Sequence, residues 1–366
     1  MPTIVNGGTS GSLNPGFSGG GPVATATAFV RNTTLTSSLG DALSAQTTFG
    51  WDQVSGEARI VSPAPNGSLG GGVTLTMGAG NPQIRFQGTL LEYDTTLAPH
   101  AVTAVCKGPL YLCDEYENGE GSGLPGGFIR PGLSLFDLLG VPTGTLQEII
   151  AAVLTRVGVS FSLSNFDNPA HVYGLVNGDD FTWGTYESAS SYIHRLCEAS
   201  EGFRLFDSSD GNVYLKQITA MPGTGFSAGS LTFTLGVDIF GDSSSVVSQV
   251  GKRSAVLVEG YDDGHGLGPI TTGPVTGNSI FRVSSPLIED IVHATAIANF
   301  WTPIVTRDQK VVRLTTPRDD LIGPAMTVNI DAGAGLGISE TMWVKSVTTE
   351  INEQGAFSQR LVCVEA

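Results

Sequence analysis

The chain has 366 residues, with 18 Lys and Arg against 34 Asp and Glu, a formal charge of −16, 40% hydrophobic residues and 49 glycines. This length and apolar content admit two or three domains with real cores and exclude a disordered chain. The missing basic surplus excludes a freestanding nucleic-acid binder, and glycines without a three-residue period exclude collagen.

The opening Met1-Pro-Thr-Ile-Val-Asn-Gly-Gly8 has neither the basic nor the apolar stretch of a signal peptide, and no run of about 18 apolar residues offers a membrane anchor. Residues 1–28 are dominated by Gly, Ser, Thr, Pro and Asn, which predicts a flexible arm or one that orders on a partner. From 29 to 110 the texture is β. Ala58–Ser62, Val73–Met77 and Ile84–Tyr93 are short runs rich in β-branched residues, separated by clusters such as Pro63-Ala-Pro-Asn-Gly67. A small barrel or sandwich is expected there.

The region 111–222 changes character. Thr145-Leu-Gln-Glu148 fits a capping box, and Leu146, Ile149, Ile150, Val153, Leu154 and Val157 form one helical stripe stopped by Gly158. A second helix is predicted from Ser188 to Ser200, with Ala189, Tyr192, Ile193, Leu196 and Cys197 on its buried face and Gly202 as its stop. Phe203–Phe206 and Val213–Lys216 then flank Asp207-Ser-Ser-Asp-Gly211, a hairpin with Gly where positive φ is wanted. Residues 223–366 return to β, with strands expected at Leu231–Leu235, Ala255–Glu259, Lys310–Leu314, Met326–Ile330, Met342–Ile351 and Ala356–Val364. One helix intervenes. Ser285 is its expected N-cap, Pro286 its first residue, Ile288, Ile291, Val292 and Thr295 its buried stripe, and Pro303 its end. Acidic charge is concentrated in 111–222, whose net charge is −9.

Candidate chemistry is sparse. Gly16-Phe-Ser-Gly-Gly20 matches the nucleophile elbow but lacks the strand and helix that strain the turn. Gly121-Ser-Gly-Leu-Pro-Gly126 matches a phosphate loop, yet Pro125 and neighbouring carboxylates oppose that use. Asp262-Asp-Gly-His265 offers ligands without a second cluster, and Asp207–Gly211 lacks the bidentate Glu of a calcium loop. His194 lies three residues before Cys197, whose place on the apolar stripe reads as a structural thiol. His100, His171 and His293 have no evident companions, and Trp51, Trp183, Trp301 and Trp343 read as single core anchors. The four cysteines, Cys106, Cys113, Cys197 and Cys363, lack a C-x-x-C pair and read as free thiols of a chain made in a reducing cytoplasm. No catalytic, cofactor or metal site is expected, and no enzymatic activity.

The middle segment resembles the inserted α/β domain of phage tail baseplate hub proteins and of the base of type VI secretion spikes. The resemblance is carried by Glu187-Ser188, Tyr192-Ile193, Arg195-Leu196, Glu201-Gly202 and Asp210-Gly211. Ile84-Arg-Phe-Gln-Gly-Thr-Leu90 resembles a strand of that family's first tube-like domain. Val311–Leu314, Leu321–Val328, Met342–Val347 and the closing strand resemble the second.

The resemblance implies an α+β, mainly β fold: two tail-tube-like β-barrel domains (29–110 and 223–366) around a small inserted α/β domain (111–222), after the arm (1–28). It further implies a structural hub at the distal end of a virion tail, synthesised in the host cytoplasm. There a homotrimer would adapt a sixfold tail tube or distal tail ring to a threefold spike or fibre. A tape measure protein would be a further partner, and DNA would pass through the lumen without specific binding. Part of the acidic excess is expected to line that channel, the alternative being a solubilising outer surface. Another virion structural protein, such as a distal tail ring protein, or a tail-associated cell-wall hydrolase are the alternatives.

Overall fold

The computed structural model describes residues 33–53, 55–96, 101–118, 132–169, 171–175, 181–218, 231–239, 243–248, 252–262, 265–266, 270–272, 279–331 and 339–365. The expected arm, both glycine motifs and His100 lie outside these. The first β portion supplies β1 (Thr33–Ser37), β2 (Ser44–Gly50), β3 (Glu57–Ser62), β4 (Gly72–Ala79), β5 (Gln83–Thr96) and β6 (Ala101–Lys107). The middle holds α1 (Tyr111–Glu115), α2 (Leu135–Leu139), β7 (Gly144–Thr145), α3 (Leu146–Val157), β8 (Val172–Tyr173), α4 (Ala189–Glu198), β9 (Phe203–Asp207) and β10 (Val213–Gln217). The last part begins with β11 (Leu231–Thr234), β12 (Ser244–Ser248), β13 (Ala255–Glu259), β14 (Tyr261–Asp262), β15 (His265–Gly266), β16 (Ile270–Thr272) and β17 (Ile280–Ser284). It ends with α5 (Ile291–Val305), β18 (Gln309–Thr316), β19 (Thr327–Asp331), β20 (Ser339–Ile351) and β21 (Phe357–Glu365).

The fold is α+β and mainly β. One sheet runs in the order β1-β4-β5-β6-β3-β2-β20-β21-β18-β12, with β19 beside β20 and β11 beside β19. Six of its 12 strands, β1 to β6, come from the first β portion, and six, β11, β12 and β18 to β21, from the last. Period-two alternation drives this arrangement: β2 buries Ala45, Thr47 and Phe49, and β21 buries Phe357, Gln359, Leu361 and Cys363. The two portions meet along β2 and β20, from Ala45 opposite Ile351 to Gly50 opposite Ser346. A single core joins them, with Phe49, Ile60, Leu75 and Phe86 of the first portion beside Leu314, Val328, Val347 and Leu361 of the last. Among the described residues the strand order is open, and no closed barrel is seen in either β portion.

β20 has different neighbours along one edge. Its residues 339–343 pair with β19, whereas 346–351 pair with β2. The ladder to β21 shifts register between Val344 and Ser346, where Lys345 is the extra residue. Such a bulge bends and re-aims its strand at the point where the edge changes partner.

The middle unit follows its local signals. Thr145 and Glu148 form the reciprocal cap, and Gly158 ends α3 at φ 88°. Ser188 caps α4, and the β9–β10 hairpin turns through Gly211 at φ 75°. Its core extends beyond residue 222: Val256, Val258, Leu287, Ile288, Ala294 and Ile297 pack with Ile149, Leu154, Tyr192 and Leu196. The apolar faces of β13 and α5 are therefore covered by the α/β unit.

Helix α5 differs from expectation. It begins at Ile291, capped by the Asp290 carboxylate accepting from His293 N–H at 2.7 Å, while Ser285 Oγ accepts from Leu287 N–H in a preceding turn. A carboxylate cap fits the helix dipole better than a hydroxyl. Ile291 and Val292 are consequently exposed, and the buried stripe is His293, Ala294, Ile297, Ala298 and Val305. Pro303 lies inside the helix, which continues to Val305.

Candidate functional site

Paired residues in adjacent strands share a face, so the surface opposite the core can be read from register. One row across it is Glu92, Val105, Arg59, Gln46, Glu350 and Ser358. The next is Lys107, Glu57, Thr48, Thr348, Arg360 and Thr315. Both rows cross the β2–β20 junction without interruption. Their charges are paired: Glu57 contacts Arg59 and Lys107, each at 2.7 Å, and Arg360 approaches Glu350 at 3.4 Å. Thr48 and Thr348 hydroxyls meet at 3.3 Å. This continuous face is rich in hydroxyls and its cations and anions balance within the two rows. The acidic excess lies elsewhere, on exposed side chains of the α/β unit such as Asp114, Glu115, Glu117, Asp137 and Glu198.

A second built feature joins that unit to the sheet. Asp207, at the end of β9, is buried and accepts hydrogen bonds from Gly56 N–H at 2.5 Å, Ser55 Oγ–H at 3.2 Å and Leu110 N–H at 3.4 Å. Burial dominates these donors and pushes its carboxyl up to about 7. Trp51, Phe206, Tyr214 and Trp343 pack as an apolar cluster, so two expected core anchors, Trp51 and Trp343, meet there. An open cleft of about 260 Å³ also lies where α4 and β9 face Trp51 and Asp52.

The residues carrying the resemblance all have structural work. Glu187 binds Arg195 at 2.9 Å, Ser188 accepts from Ser191 N–H, and Tyr192 Oη donates to the Phe181 carbonyl at 2.6 Å. Gly202 turns the chain at φ 73°, and Asp210 accepts from Tyr214 Oη at 2.7 Å.

The sequence candidates for chemistry do not converge. Cys197 is buried, with its thiol pushed up to about 12, whereas His194 is on the exposed side of α4 with Glu198 at 3.0 Å. The same burial raises Cys106, Cys113 and Cys363 to about 12. Asp262 and His265 are paired across β14 and β15, and among the described residues no group of three potential ligands forms. His171 and His293, expected to stand alone, stack with ring centroids 3.7 Å apart. Local patterns had no means of showing a pair separated by more than a hundred residues.

No family model and no curated protein matches the sequence. Solved structures do match over nearly the whole chain. The tail protein of Neisseria meningitidis MC58 superposes at a TM-score of 0.63 with 10% identity, covering 91% of this chain and 96% of its own. The 43 kDa tail protein of prophage MuSo2 from Shewanella oneidensis gives 0.57 with 12% identity, covering 91% and 97%. An E. coli component of the type VI secretion system, described as structurally similar to the T4 tail proteins gp27 and gp5, gives 0.54 with 10% identity over 91% and 77%. The chain thus has the fold of these tail proteins and of this type VI secretion component, in line with the resemblance read from 84–90, 187–211 and the closing strands.

Proposed function

We propose that this chain is a non-enzymatic structural protein of a phage-type tail and serves as the hub at its distal end. The observation that carries this reading is the equal division of the large sheet, six strands from each β portion. A chain with two such tube-like modules presents six in a trimer, which suits it to a sixfold tube or distal ring on one side and a threefold spike or fibre on the other. The hydroxyl-rich face across β2 and β20 is the surface we assign to the channel. Because its charges balance, the channel would pass DNA without a cationic brake but also without the acidic lining expected from composition. The fold shared with tail proteins of similar length supports this role.

Sedimentation velocity of the purified chain at micromolar concentration, with averaged images of the particle, tests it. A trimeric ring with six similar modules is expected. A stable monomer would overturn the reading, and a hexamer would favour a distal ring protein instead.

A further inference from the structure

Among the described residues, four buried polar atoms without hydrogen-bond partners occur together where α5 meets β8: His171 Nε2, Tyr173 Oη, and both ring nitrogens of His293. Tyr173 lies edge-on to both imidazoles, with centroids 4.6 Å from His171 and 5.2 Å from His293. Buried polar groups are normally paired, so such a concentration calls for a reason. Coordination of one metal ion is not it, because the imidazole planes lie within 16° of parallel and their in-plane lone pairs do not converge.

We infer that the His171–His293 stack is an acid-released seam, which lets the first turns of α5 separate from the β7–β8 arm while the large sheet stays folded. Two neutral imidazoles stack favourably at 3.7 Å, but two imidazolium rings at that distance repel, the more so because His293 is buried and His171 only partly exposed. The groups facing the pair are Asp290 and Glu289 before α5, Glu201 after α4, and Cys197 on α4, beside Tyr173. The carboxylates favour protonation, but they are committed elsewhere. Asp290 caps α5, and Glu289 Oε2 accepts from Gly174 N–H at 2.9 Å and Leu175 N–H at 3.3 Å. The Ala199 backbone also favours the charged form of His293, as the smallest of the influences on it. Burial prevails at both rings, holding His171 below its ordinary value and His293 near about 3. A closed seam therefore binds fewer protons than an open one. Each ring that protonates on opening favours the open state by up to about tenfold per pH unit below about 6.5, and the two together by up to about a hundredfold.

The test is acid titration of the full chain, reading histidine Cε1 NMR signals assigned with His171→Phe and His293→Phe. Both rings are expected to keep neutral shifts as the pH falls, then change together in one step with loss of the native Trp301 environment. The Trp51 and Trp343 indole signals are expected to stay native through that step, and loss of all of these together would overturn the inference. Either ring titrating near pH 6.5 with all other native signals unmoved would overturn the inference. His293→Phe is expected to lower the midpoint of that step by at least one pH unit, and His194→Phe to leave it in place. Coincident midpoints for all three proteins would overturn it as well. Should His293→Phe fail to fold, the wild-type titration alone decides.

Discussion

The carboxylate of Asp207 sits 2.5 Å from the backbone nitrogen of Gly56, so the α/β unit is fastened to the large sheet by a hydrogen bond linking the end of β9 to the entry of β3. The fit leaves no slack: a Cβ on Gly108 would fall 2.1 Å from Asp207 Oδ2. Burial lifts the carboxyl from 3.8 to about 7. The folded form thus holds the proton more tightly than the unfolded chain. This contribution is complete below pH 3.8 and lost as pH rises through 7, at about 1.4 kcal/mol per pH unit between them. Asp207→Asn removes that dependence. Thermal unfolding from pH 5 to 8 should show the wild-type midpoint falling relative to the variant, and parallel profiles would contradict the assignment.

Arg85 connects the two β portions from inside the core. Only 1% exposed, it donates to the backbone carbonyls of Asp320, at 2.7 Å, and Asp319, both in the loop before β19. Burial pushes its guanidinium down to about 10, with Asp319 and Asp320 opposing. Arg85→Met conserves much of the volume but removes the guanidinium from the Asp319 carbonyl, while the Asp320 carbonyl keeps its bond from Gln359 Nε2 at 2.8 Å. Denaturant unfolding should show a loss of about 2 kcal/mol, the scale of one buried acceptor left without its donor. A change below about 1 kcal/mol would mean that the loop finds other donors.

All four cysteines are free and buried, with thiols raised to about 12 by burial. A thiol-specific chromogenic reagent should label essentially none in the native protein and all four in denaturant, because the thiolate is the reactive form. Rapid labelling of Cys197 in the native state would instead show that the neighbouring cleft exposes it.

Among the described residues strand β12 ends the sheet, and it carries Val246 and Val247 at 45% and 63% exposure with no Lys or Pro within Ser244–Ser248. Unguarded edges of this kind invite pairing. Val247→Lys should leave the circular dichroism spectrum and unfolding midpoint unchanged while shifting sedimentation toward monomer. An unchanged assembly would place the subunit contact elsewhere.

Local elements were legible because their signals are local. Thr145 and Glu148 are three residues apart, Ser188 precedes its helix, and Gly211 marks a two-strand turn. The start of α5 departs from the linear pattern because Ser285-Pro286 imitates a helix entry, while the Asp290 side chain five residues later accepts from His293 N–H and makes the cap. What the linear pattern does not reveal is register over distance. Nothing near Ala45 announces Ile351, and nothing near Arg85 announces the carbonyl of Asp320. His171 and His293 escaped for the same reason, since two isolated histidines acquire meaning only when packing stacks them.

The pairing of β2 with β20 also sets a timetable for biosynthesis. Gly50 leaves the ribosome early, yet its partner Ser346 follows some three hundred codons later. At translation speeds of about 5–20 residues per second, the nascent amino-terminal half would wait about 15–60 s with an unmated border. Contacts of such high order fold slowly. Closure of the β2–β20 seam therefore comes late in synthesis, and the protein's yield in a heterologous host should depend on how well that interval is chaperoned.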